Sequence, residues 1–139
     1  MKPLHVTLPI RVRGYDIDFV GHVNNIVYIR WLEDLRMHLL DVYYPLEKVT
    51  AIGVAPVIVT TNIHYRQPIS LDDREVTGEM WIDRLEAATF HLAAEFRVGE
   101  KLRCTATQRG TFINMEKNRP VRVPTPLREQ FEAQRGPTR

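Results

Sequence analysis

Apolar and polar side chains alternate with period two in five stretches of the chain, the signature of strands with one buried face. In the first, Leu4, Val6, Leu8, Ile10 and Val12 fall on one side, and His5, Thr7, Arg11 and Arg13 on the other. The second sets Val57, Val59, Thr61, Ile63 and Tyr65 against Thr60, Asn62, His64 and Arg66. The third sets Val76, Gly78, Met80 and Ile82 against Glu75, Thr77 and Glu79, with Trp81 out of phase. In the fourth, Ala88, Phe90, Leu92, Ala94, Phe96 and Val98 alternate with Thr89, His91, Glu95 and Arg97. The fifth places Leu102, Cys104, Ala106 and Phe112 opposite Arg103, Thr105, Thr107, Arg109 and Thr111. One wet face and one dry face predict antiparallel pairing. The short connections at 83–87 and 99–101 predict hairpins joining the last three strands.

One segment departs from this alternation. From about Asn24 to Tyr44 the apolar residues take helical spacing: Val27, Trp31, Leu35, Leu39 and Val42, widened by Tyr28, Leu32 and Leu40. Asn24 or Asn25 supplies an N-cap and Pro45 marks the far end. A helix of about 30 Å, apolar over much of its surface, needs a sheet to cover it. The pattern therefore predicts an α+β fold in the order strand, helix, four strands, with a five-stranded antiparallel sheet wrapped around one long central helix. Residues 119–126 read as an extended, proline-punctuated link and residues 126–134 as a short terminal helix.

Composition narrows the class. A chain of 139 residues is one domain's worth, so 1–139 is expected to be a single domain with its core over about 4–124. No apolar run approaches the roughly 18 to 20 residues that span a bilayer, and the first residues lack the pattern of a signal peptide. With a single cysteine, Cys104, there is no internal disulfide framework, and a cytoplasmic setting is expected. A formal charge of +2 does not call for a nucleic-acid partner, and no membrane partner is expected. Residues 117–139 carry Lys117, Arg119, Arg122, Arg128, Arg135 and Arg139 and read as a basic, solvated tail. The edges of so small a sheet need covering, which predicts a homodimer or homotetramer. His5, His22, His38, His64 and His91 show no paired ligand spacing, so no metal is expected.

The polar residues concentrate just ahead of the helix. Asp16, Asp18, Gly21, His22, Asn24 and Asn25 follow one another within ten positions. Taken singly, each is an ordinary turn or cap residue. Together they place two carboxylates beside the positive end of a helix dipole. The ordered set Asp16-x-Asp18-x-x-Gly21-His22-Val23-Asn24-Asn25-x-x-Tyr28-x-x-Trp31-x-Glu33 resembles the 4-hydroxybenzoyl-CoA thioesterase family of hotdog-fold proteins. Its His22-Val23-Asn24-Asn25 element is also similar to that of plant acyl-carrier-protein thioesterases. Pro56-Val57-Ile58-Val59 and Ile63-His64-Tyr65-Arg66-Gln67-Pro68, followed by Asp72 or Asp73, extend the resemblance to about Leu4 through Pro124.

The resemblance implies a hotdog fold and an acyl-CoA thioesterase that releases a free acid and CoA without a separate cofactor. It implies that Asp18 is the catalytic carboxylate, as nucleophile or as general base toward water. A backbone N–H near Asn25 then polarises the thioester carbonyl; losing one such donor typically costs about 3 to 4 kcal/mol of transition-state stabilisation. His22, Asn24 and Asn25 are expected to orient the carboxylate or the water. Where the benzoyl enzymes carry a basic cluster, this chain has Leu85-Glu86-Ala87-Ala88-Thr89. Arg66 and Arg84 are the candidates for the CoA phosphates, with Arg109 and the basic tail as further options, and an acyl-carrier-protein thioester remains an alternative substrate. The acyl group is expected alongside the helix or across a subunit interface, against Val57, Val59 and Phe90. Glu33, between Arg30 and Arg36, reads as a surface ion pair. Two alternatives are an acyl-thioester hydratase or dehydratase, using His22 with Asp18, and a non-catalytic acyl-CoA binding protein.

Overall fold

The computed structural model describes residues 1–135. In chain order the elements are β1 (Val6–Arg11), α1 (Asn25–Tyr43), α2 (Leu46–Ala51), β2 (Val54–Tyr65), β3 (Glu75–Leu85), β4 (Thr89–Val98), β5 (Lys101–Asn114), β6 (Arg119–Val121) and α3 (Thr125–Arg135). Every strand pairing is antiparallel, in the order β1-β3-β4-β5-β2, with β6 alongside β5. The sheet thus has six strands rather than the five expected, because the first residues of the proline-punctuated link pair with Phe112–Asn114. The short helix α2 was not legible either: six residues are too few to show a helical period.

The inward positions of β3, β4 and β5 are those the alternation predicts. Val76, Met80 and Ile82, then Phe90, Leu92, Ala94 and Phe96, then Cys104, Ala106 and Phe112 are all buried. Against them α1 buries Val27, Tyr28, Trp31, Leu32, Leu35, Leu39 and Leu40. Val42, predicted for the same stripe, is 53% exposed. In the last turn Tyr43 and Tyr44 take the inner positions instead, and the Tyr43 hydroxyl donates to the His5 carbonyl at 2.7 Å. The strands flanking β5 leave no room at Gly110, where a Cβ would collide with the Phe90 ring of β4 and the Val57 carbonyl oxygen of β2.

β2 corrects the predicted phase. Its pairing with β5 slips between Ile58 and Thr60, so the strand carries one unpaired residue, a β-bulge at Val59. Residues paired directly across an antiparallel ladder share a face. Pro56 opposite Phe112, and Ile63 opposite Ala106, therefore face inward, while Val57 opposite Thr111 faces out. Val59 is 52% exposed. Neither valine lines an interior acyl channel.

The predicted basic tail is also corrected. Leu127 and Phe131, four residues apart on α3, lie on one helix face and are buried in the core. The core therefore runs past Pro124 to Phe131, and the segment is structured rather than a solvated tail. Its last four residues, Arg139 among them, lie outside the described residues. No helix among the described residues is long and apolar enough to cross a membrane.

Candidate active site

The segment between β1 and α1 folds as a tight hairpin. Ile17 bridges Val23, the Asp18 N–H donates to the His22 carbonyl at 2.8 Å, and the Gly21 N–H donates to the Asp18 carbonyl at 3.0 Å. Gly21 has φ +86°, a conformation that glycine takes at no steric cost and other residues resist. The turn fixes the Asp18 side chain as well. Its Oδ1 accepts from the Val20 N–H at 3.0 Å and the His22 N–H at 3.1 Å. The carboxylate is held by one oxygen, and the other makes no hydrogen bond among the described residues.

Asp18, His22, Val23, Asn25, Tyr28, Tyr65, Arg66, Gln67 and Pro68 line one cleft of about 260 Å³. Four residues singled out from the sequence, Asp18, His22, Asn25 and Arg66, are thus brought together. Asn24 is not among the lining residues. Its Oδ1 accepts from the Ile26 N–H at 3.1 Å, capping α1, and its carbonyl takes the Val27 N–H at 2.9 Å. The Asn25 N–H, at the first helical position, has no acceptor among the described residues. Helix N-termini leave such donors unpaired and carry partial positive charge. A carboxylate and a free, dipole-backed donor therefore share one cleft.

Asp16 has a different task. It is 5% exposed, and its Oδ2 accepts the Arg13 N–H at 2.9 Å, closing a 3-10 turn. Arg84 stands apart too. It pairs across the ladder with His91 and lies 3.2 Å from that ring's Nε2. The cleft end of β4 is near Phe96, which pairs with Cys104, itself opposite Tyr65. Five residues of strand, about 17 Å, separate the two places within one chain. Glu33 behaves as expected, exposed and 2.8 Å from Arg36.

Tyr28 and Tyr65 are the residues whose place in the site sequence reasoning missed. Tyr28 sits one turn beyond Asn25, so its place beside the cleft was legible as helical spacing, although its apolar company marked it as core. Tyr65 is separated from Asn25 by 40 positions, and only the folded chain brings its hydroxyl to donate to the Asn25 carbonyl at 3.0 Å. The two rings pack edge to face at 5.1 Å, and Tyr28 also meets Phe96 at 5.9 Å. Burial pushes both phenols above their usual range, with the nearby Cys104 thiol adding to it, so both stay protonated. Behind Tyr28 the fully buried Leu32, Leu35 and Phe96 fill the interior. Phe90, 5% exposed, does not line this cleft; it borders a separate apolar cavity of about 20 Å³ beside Leu39 and Leu40 of α1.

Comparison with known proteins identifies the chain's family and fold. The family model of the thioesterase-like superfamily matches residues 12–131, from the end of β1 into α3. The long-chain acyl-CoA thioesterase FadM of Escherichia coli (strain K12) is 42% identical over 64 residues, 46% of this chain and 48% of FadM. The match spans about half the length of that relative. YbaW from Escherichia coli, named a probable thioesterase, superposes with a TM-score of 0.79 at 27% identity, over 92% of this chain and 97% of YbaW. Slr0204 from Synechocystis, a 1,4-dihydroxy-2-naphthoyl-CoA thioesterase, gives 0.82 at 18% identity, over 96% and 99%, and shows the shared fold. With its family model matched over most of the chain and its six-stranded sheet packed on a long helix, this chain belongs to the thioesterase-like superfamily and has the hotdog fold.

Proposed function

We propose that the protein hydrolyses an acyl-CoA thioester to a free acid and CoA, with Asp18 as its catalytic carboxylate. The observation that carries the reading is the cleft itself, where the Asp18 carboxylate and the start of α1 face the same 260 Å³ space. The thioester carbonyl accepts from the Asn25 N–H. Attack at the carbonyl carbon moves negative charge onto that oxygen, where the donor and the helix dipole stabilise it. As general base, Asp18 takes a proton from the attacking water. As nucleophile, it forms an acyl-aspartate anhydride that water then opens. In both routes the carbon–sulfur bond breaks and the thiolate of CoA departs, so no cofactor is required.

The His22 backbone holds the carboxylate, and its ring lines the same space. Arg66 supplies positive charge at the cleft for the anionic part of CoA. FadM is named for acyl-CoA substrates, which favours CoA over a carrier protein. A dry cavity of about 150 Å³ is enough to hold benzene, so this cleft has room for the acyl head and the thioester. A longer chain must leave it, past the exposed Phe19, Val20 and Ile26.

Asp18→Asn tests the reading directly. Asparagine keeps an oxygen for the Val20 and His22 N–H groups, so the turn is expected to survive while the anionic oxygen is lost. Release of CoA thiol from an acyl-CoA panel is expected to fall by orders of magnitude with an unchanged circular dichroism spectrum; near-wild-type release refutes the assignment. Single turnover in ¹⁸O-water separates the two routes. Label in the Asp18 carboxylate requires an anhydride opened at the Asp18 carbonyl and so supports the nucleophile, and hydroxylamine trapping of the acyl group reports an anhydride opened at the acyl carbon.

A further inference from the structure

One wall of the cleft is the loop that follows β2, residues 66–73, and Arg103 of β5 grips it from both ends of its own residue. The Arg103 carbonyl accepts the Arg66 N–H at 2.9 Å and the Gln67 N–H at 3.0 Å. Its guanidinium donates to the Pro68 carbonyl at 2.6 Å and reaches both Asp73 oxygens, at 3.3 and 3.5 Å. Asp73 in turn accepts the Ser70 N–H at 2.8 Å. The gripped loop then meets the catalytic turn: the Ile69 carbonyl accepts the Val23 N–H at 2.7 Å, and Ser70 bridges His22. His22 is the residue whose N–H holds Asp18 Oδ1. An unbroken set of bonds runs from Arg103 and Asp73 through the loop to the carboxylate.

From this juxtaposition we propose that Arg103 and Asp73 are positioning residues, which set the Asp18 carboxylate and the Arg66–Pro68 wall at the geometry hydrolysis needs. The proposal rests on Asp18 being the catalytic carboxylate. The pair is poorly built for stability alone. Its side chains are only 16% and 20% exposed, and the Arg103 Nε is buried without a partner among the described residues. A largely desolvated ion pair with an unsatisfied donor is commonly matched or bettered by apolar packing. What the guanidinium offers that an apolar side chain does not is a rigid, multi-pronged grip on a carbonyl and a carboxylate at once. Neither residue lines the cleft, so both act through the groups they hold.

Steady-state hydrolysis of octanoyl-CoA by Arg103→Met and Asp73→Asn, in the full chain, tests this. A small displacement of a reacting group can cost on the order of 100-fold in rate. The expected result is a fall in kcat of that order with KM little changed, and Arg103→Lys recovering part of it. In the Asp18→Asn background, Arg103→Met is expected to lower kcat no further, because residues acting through one another are not additive. Wild-type kcat in both single variants overturns the proposal, as does a loss confined to KM. So does a full multiplication of the losses in the double variant, which marks a merely structural role. If Arg103→Met fails to fold, Asp73→Asn, which keeps the side-chain shape, carries the same measurements. An active Asp18→Asn removes the catalytic reading itself; an inactive Asp18→Asn with multiplying losses removes only this one.

Discussion

Glu79, on β3, has Lys2 Nζ at 2.7 Å and His5 Nε2 at 2.6 Å from its two oxygens. Burial alone would push this carboxyl up; the bonds from Lys2 and His5 outweigh it and hold Glu79 at about 2, below the usual 4.5. A depressed acid binds protons more weakly in the folded chain than in the unfolded one. Its stabilisation is complete above about pH 4.5 and is lost as the pH falls toward 2. Thermal unfolding followed across that window is expected to show a steeper loss of Tm for the wild type than for Glu79→Gln; parallel curves contradict the assignment. Residues in such positions were hard to read in the sequence, where Glu79 is one polar residue in an alternating strand. Asp18 was easier, because a turn glycine, a histidine and two asparagines crowd the same short stretch.

The N-terminus of α1 joins folding to chemistry at the scale of the element. Asn24 caps the helix by accepting the Ile26 N–H, next to Asn25, which lines the cleft and whose N–H is the donor of the proposed reaction. Replacing an N-cap asparagine with alanine costs about 1 kcal/mol. Asn24→Ala is expected to lower the unfolding free energy by about that amount and to lower kcat, because the first helical donor loses its fixed direction. A stability loss with unaltered kcat separates the cap from the donor. The helix and most strands were legible because their apolar periods are long. β2 was misread from Val57 to Val59, since a bulge changes phase without changing residue type. The loop at 66–73 carried no signal of its grip by Arg103, which is 30 to 37 positions away in sequence and adjacent only through the β2–β5 ladder.

At the scale of the whole molecule, β1 and β2 end the sheet, and β2 offers twelve residues of unpaired edge backbone on its outer side. Exposed edges of that length are usually covered. Apolar residues are exposed near the cleft as well, with Phe19 at 100%, Ile26 at 65% and Tyr65 at 40%. Light scattering is expected to give at least twice the chain mass of 16.2 kDa, as the homodimer or homotetramer expected from the sequence. A clean 16.2 kDa species refutes that expectation.

By itself the sequence determined the long helix, the inward faces of four strands, the hairpin meander and the polar turn holding Asp18, because each is written in local period or local turn chemistry. Tertiary structure alone decided that Tyr65 and Arg66 join Asn25 in lining the cleft, that Arg84 lies at the other end of the strands, that residues 119–121 pair as a sixth strand, and that the terminal helix expected at 126–134 docks Leu127 and Phe131 into the core. These outcomes depend on strand register and on long-range pairing. Both follow from how the whole sheet packs on the helix, and no window of residues contains them.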